Sequence, residues 1–181
     1  MQRNSSLVQQ QRGLTLTEAC ATLAIASILV GTAVPSFVDS NKKRVLEGSA
    51  GELATDLHFA RSEAVTRNEG VRVSFHTVAT GSCMVIHTGA TADCGCDAHG
   101  AAQCINGARL IKSNYYAASR SVGVTANVAS MRFDPIRGTV TPAGTVTIGS
   151  KSGPTVRHVV NIMGRVRTCS PGGLAQGYKG C

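Results

Sequence analysis

The sequence predicts an α+β protein, with one long amino-terminal helix followed by antiparallel strands. Three observations carry that prediction. Apolar residues recur at helical steps up to about residue 67, and they alternate at strand spacing from Val71 onward. The alternating stretches are bounded by Gly, Pro and Asn rather than by further helical segments. With 181 residues, 15% of them charged, 4% aromatic, no Trp and 20 Gly, the chain suits one modest core with many loops. It does not suit a disordered protein, whose charge would be higher.

Residues 1–13, "MQRNSSLVQQQRG", are polar and carry Arg3 and Arg12 with no acid. From 14 to 38 the chain is apolar, and Glu18 is its one charged residue. That length suits a roughly 30 Å hydrocarbon core, and the basic leader would keep the amino terminus cytoplasmic. A carboxylate inside such a segment costs a few kcal/mol on insertion scales, so its presence implies a use. Beyond Pro35 the helix resumes over about 39–67. Leu46, Ala50, Leu53, Leu57, Ala60 and Ala64 form an apolar stripe to lay on a sheet. Gly48 and Gly51 predict a bend, and Asn68 to Gly70 a stop.

From 71 to 181 the chain reads as β-rich. Strands are expected in "VRVSFH", "SCMVIH", "ARLIK", "VGVTANV", "SMRFD", "GTVTP", "GTVTIGS", "VRHVVNI" and "GRVRT", and "TPAG" reads as a turn. Residues 88–107 read as a loop pinned by cysteines.

Charge is unevenly spread. Residues 14–97 hold six Lys/Arg and nine Asp/Glu; residues 98–181 hold ten Lys/Arg and one acid, Asp134. Such a bias suits a polyanion, an anionic membrane surface or a plain solvated face. In "GRVR", Arg165 and Arg167 stand two apart, so a strand would project them from one face roughly 6.6 Å apart. Guanidinium forks at that separation suit neighbouring phosphates. Gly164 would let another backbone approach. Lys179 would lie beside the two arginines if Cys169 and Cys181 were bridged, and Tyr178 would either stack on a base or pack. Lys112, Lys151 and Arg157 are further basic candidates. Without an aromatic platform, contact with the nucleic-acid backbone is expected rather than base reading.

Cys20 lies in the apolar run. The other six cysteines, Cys83, Cys94, Cys96, Cys104, Cys169 and Cys181, are disulfide candidates if the domain is exported, with the pairing left open. Cys94, Cys96, Cys104 and His99 lack the spacing of a usual zinc knuckle, so no metal is expected. No cofactor motif is present. His58, His76, His87 and His158 have no Ser, Asp or Cys partner at a recognisable spacing, so the chain reads as a non-enzyme.

The amino-terminal pattern resembles the class III signal of type IV pilins and pseudopilins. Gly13 stands at the cut, with Leu14 in place of the usual Phe, then Thr15–Leu16 and Glu18 at the fifth mature position, and Pro35 further on. "ELATDLHFARSEAVTRNEGVRV", "RFDPIRG" and "NIMGRVRTC" resemble segments of the GspH/FimT group, closest to FimT-type minor pilins. The resemblance implies a type IV pilin fold, with the first half of the helix transmembrane and the second packed on antiparallel sheets. It also implies removal of 1–13 by prepilin peptidase and methylation of the new terminus. Glu18 would meet the terminal ammonium of a neighbouring pilin subunit, with Pro35 kinking the helix.

Within the FimT branch of that group the Gly-Arg-x-Arg pattern resembles the element assigned to DNA contact, which maps here to Gly164, Arg165 and Arg167. The expectation is a protein of the bacterial inner membrane, single-pass with a periplasmic carboxy-terminal domain. It would then be built into an extracellular pilus, where it binds DNA for uptake in natural transformation. A GspH-like structural subunit of a pilus or a type II secretion system, without DNA binding, is the alternative.

Overall fold

The computed structural model describes residues 13, 15–120, 122–149 and 153–181, without the side chains of 32–36. The leader before Gly13, Leu14, Lys151 and the side chain of Pro35 therefore lie outside the described residues. The chain divides into two units between Asn41 and Lys42.

In the first unit, helix α1 (Leu16–Arg67) begins at Thr15. The Thr15 hydroxyl accepts a hydrogen bond from the Glu18 N–H at 3.3 Å, which makes Thr15 the N-cap and places Glu18 in the first turn. Both features offset the unpaired N–H groups and positive dipole of a helix start. Leu16, Leu23, Ile25, Ile28, Leu29, Val30, Phe37 and Val38 are all exposed. Among the described residues, no helix is long and apolar enough to cross a membrane. The span expected over 14–38 is thus not shown, and the side chains of 32–36 that would complete it are not described.

In the second unit α1 runs through Gly48 and Gly51 without interruption, where a bend was expected. All six residues of its apolar stripe are buried, with Leu53 and Leu57 fully enclosed. Each enclosed leucine contributes about 1.5–3 kcal/mol. The helix ends where the sequence indicates. Asn68 has φ +52, the Asn68 N–H donates to Val65 O, and the Glu69 N–H donates to Ala64 O, which together form a Schellman cap.

Two antiparallel sheets receive this helix. The first has the order β5-β2-β1-β7-β8, built from β1 (Val71–Val78), β2 (Gly81–Thr88), β5 (Leu110–Ala117), β7 (Ser130–Phe133) and β8 (Val140–Thr141). The second has the order β11-β10-β9-β6, from β6 (Gly123–Ala126), β9 (Gly144–Gly149), β10 (Thr155–Val160) and β11 (Val166–Cys169). Every strand expected from alternation is present. Val73, Ile86 and Phe133 of the first sheet share one core with Val146, Ile148, Val156 and Val160 of the second and with the α1 stripe.

Residues 88–107 differ from the expected loop. Strands β3 (Cys94–Cys96) and β4 (Ala102–Cys104) form a two-stranded hairpin. Cys94–Cys104 closes it, and Cys83–Cys96 clips it to β2. The hairpin covers Cys83 and Val85, so β2 is buried on both faces. Three-residue strands of this kind carry too little alternation to be read, and the bridges supply the order that the pattern lacks.

Candidate functional site

Strand β11 is an edge of the second sheet, and alternation turns Arg167, with Arg165 just before the strand, to its outer side. Both are exposed, while Val166 and Thr168 between and beyond them are half-buried. On β10 the exposed residues are Arg157 and Val159, and the register pairs Arg157 with Cys169 and Val159 with Arg167. Arg157 is therefore a diagonal neighbour of Arg167, about 7–8 Å away. Arg165, Arg167 and Arg157 form one basic group on one face. None of the four strands contains an acid. Among the described residues, ion pairs join Arg67 to Glu63, Arg109 to Glu69, and Lys112 to Glu52 and Asp56, leaving the three arginines and Lys179 out.

The inner side of the same sheet is neutral. His158 is fully enclosed, its Nδ1 lies 2.9 Å from Thr168 Oγ1, and burial pushes its pKa down to about 4. At neutral pH the charge of this sheet therefore comes from its outer face.

Gly164 has a different use from the one expected. Its φ is +71, its N–H donates to Asn161 O at 2.8 Å, and a Cβ there would stand 2.5 Å from Gly138 O. The backbone that approaches it is the chain's own. Asn161 Oδ1 accepts the Arg165 N–H at 3.0 Å, so this turn sets where Arg165 leaves the loop. Arg61 of α1 lies under the same loops, 3.2 Å from that Cβ position through its Nε. Exposed Arg137 occupies the Asp134 turn next to it, in which Asp134 Oδ1 accepts the Arg137 N–H. Both basic residues were missed; Arg137 could have been read from "RFDPIRG".

The tail carrying Lys179 returns to β11. Cys169 and Cys181 are bridged, the Ser170 N–H donates to Lys179 O at 2.8 Å, and the Cys181 N–H donates to Ser170 O. Ser170, unremarked in the sequence, is fully buried. Its hydroxyl donates to Thr155 O and accepts the Ala175 N–H. Lys179 is exposed. Tyr178 packs against the core, where burial and then Glu47 raise its pKa, so it is no stacking platform.

Lys112 does not join this group. It lies on β5 of the first sheet, with Nζ 2.6 Å from Asp56 Oδ1, and that hydrogen bond raises its pKa. Asp56 is itself buried and also accepts from Asn114 at 2.6 Å. This lysine neutralises an acid under the sheet.

A hydroxyl–imidazole pair does exist elsewhere. Ser74 Oγ lies 2.8 Å from His87 Nε2, and His87 Nδ1 lies 2.8 Å from Thr88 O. The pairing across the β1–β2 hairpin could not be read from sequence spacing. Both residues are fully enclosed, so no substrate reaches them. The thiols near exposed His99 are all in disulfides.

Comparison with known proteins adds three findings. The family described as Type II transport protein GspH matches residues 49–164, ending just before Arg165. The pilin-like protein PilA1 of Thermus thermophilus is 36% identical over 75 residues, covering 41% of this chain and 47% of that protein. The match thus spans about half the length of that curated relative. The crystal structure of the type IV minor pilin FimU of Pseudomonas aeruginosa aligns with a TM-score of 0.50 at 20% identity. The alignment covers 72% of this chain and 95% of that one, and it shows a shared fold.

Proposed function

The chain belongs to the GspH family, and on that premise we propose that it is a minor pilin of a type IV pilus that binds extracellular DNA through its basic carboxy-terminal face, for uptake in natural transformation. The observation that carries the reading is the group Arg157, Arg165 and Arg167, outward on one acid-free sheet face and outside every described ion pair. Arginine forks bind phosphates in a way that ignores base sequence. Lys179 is tied beside β11 by the Cys169–Cys181 bridge and extends the surface.

The exposed apolar side chains of α1 between Leu16 and Val38 need cover, which the inner membrane gives before assembly and neighbouring pilin subunits afterwards. Cleavage by prepilin peptidase after Gly13 would leave Glu18 near the new terminus. There its carboxylate would pair with a neighbour's ammonium and set the register.

The test uses the full chain in uncharged detergent, titrated with a short DNA duplex at two salt concentrations beside an Arg165→Gln/Arg167→Gln variant. Wild-type binding that weakens with salt is expected. The variant should bind at least about tenfold more weakly, with its log–log salt slope reduced by about 2, close to one per lost phosphate contact. Equal binding by a folded variant would reject this surface. No wild-type binding would leave a structural subunit.

A further inference from the structure

The outer face of the second sheet continues into a cleft. Arg157 pairs in register with Thr147 of β9, and Thr147 with Thr125 of β6. These two threonines line a depression of about 670 Å³, whose opposite wall is the β1–β2 turn at Ala79 together with the stretch that ends in Arg120. That volume is in the range of small-molecule sites. Among the described residues its lining contains no acid, and Arg120 is the one charged residue. Val78, Ala79, Ala117 and Ala118 give it an apolar wall facing the threonine hydroxyls, while Val122 and Val124 at its floor belong to the core. From β11 to β6 is about 14 Å across three strand spacings, a span of a few nucleotides along an extended strand.

We propose that this cleft receives one unpaired nucleotide of a DNA strand whose phosphates lie on Arg157 and Arg167, so that the protein prefers single-stranded to duplex DNA. The inference rests on the DNA-binding reading above and adds an occupant for a second element of the surface. The base lies against the apolar wall of Val78, Ala79, Ala117 and Ala118, the sugar meets the threonine hydroxyls, and Arg120 takes a flanking phosphate on the far side. A paired base reaches the cleft only by leaving its stack, which costs a few kcal/mol; an unpaired base has no such cost. Tyr116, the aromatic of the described lining, is only 7% exposed and packs in the core, so it offers no face for stacking and the preference is modest and indifferent to base identity.

The test compares a short single strand with a duplex of the same sequence, using the full chain in uncharged detergent. Gly123→Leu fills the cleft. The glycine has no positive φ, and a Cβ there meets only Ser82 Oγ at an ordinary 3.6 Å. Arg120→Gln removes the far-wall charge without filling space. Wild type should bind the single strand about five-fold more tightly, the effect of burying roughly 40 Å² of apolar base surface. Both variants should lose that advantage while binding duplex as wild type does. If wild type binds both DNAs equally, or both variants keep the preference, the cleft proposal is overturned and the arginine surface stands. If wild type binds neither DNA, the DNA-binding reading fails, and this proposal with it.

Discussion

The two sheets spend most of their positive charge in opposite ways, with Arg132 of β7, exposed and outside the described ion pairs, the exception on the first. On the first, Lys112 is bound to Asp56, Arg109 to Glu69, and Arg72 donates to Ser130 Oγ and Gly89 O. The disulfide-clipped hairpin β3–β4 covers part of its outer face. On the second, no hairpin among the described residues covers Arg157, Arg165 and Arg167, which are exposed and outside the described ion pairs. A basic residue is thus informative about a partner only when its charge is left unspent by the fold. A carboxy-terminal half with ten Lys/Arg and one acid does not by itself say which of its residues do that.

The comparison can be broken most strongly from the first sheet. Asp56→Ala removes the acceptor of both Lys112 and Asn114 beneath β5. It should cost about 3 kcal/mol in urea unfolding, the lower end for breaking a buried pair because Lys112 remains partly exposed. DNA binding by the folded fraction should not change. Gly164→Ala places a side chain at positive φ against Gly138 O and should cost about 2 kcal/mol by the same measurement.

A pH series sharpens the inner–outer contrast of the second sheet. The folded pKa of His158 is about 4, below its ordinary 6.5, so the unfolded chain takes up the proton first. The stability tied to neutral His158 is present above pH 6.5 and lost as the pH falls toward 4, by about 3 kcal/mol. Hydrogen bonds hold Asp93, Asp97 and Asp134 below their ordinary 3.8, so their share is lost only at lower pH. His158→Leu should reduce the loss between pH 6.5 and 4 in thermal melts, leaving the share of His87, whose pKa burial also lowers, while a slope unchanged from wild type would assign it elsewhere. The smallest effect on stability is expected at the surface. Arg157→Gln should move it by no more than about 0.5 kcal/mol yet weaken DNA binding about three-fold, whereas Lys112→Gln should do the reverse.

Much of the fold was legible because its signals are local. The α1 stripe from Leu46 to Ala64, the stop at Asn68 and the strands from Val71 onward each follow from periodicity or a cap within a few residues. The N-cap at Thr15 was equally local, since Thr15 and Glu18 have capping-box spacing, yet it went unread beside the larger question of Glu18. The outward pair Arg165 and Arg167 was legible for the same reason, because residues two apart on a strand share a face.

What tertiary structure decided was every question of who lies next to whom. The sequence determined that Lys112 is basic and on a strand; only the sheet order put that strand over Asp56 and removed the lysine from the surface group. Likewise Gly164 announced a close approach, and only the fold supplied Gly138 O as the approaching atom. Arg157 joined Arg167 through strand register, Lys179 joined β11 through Ser170 and a disulfide, and six cysteines became three bridges. Helical and strand periodicities are properties of a few consecutive residues, whereas strand order, register and disulfide pairing join residues far apart in the chain and are set by burial of the shared core.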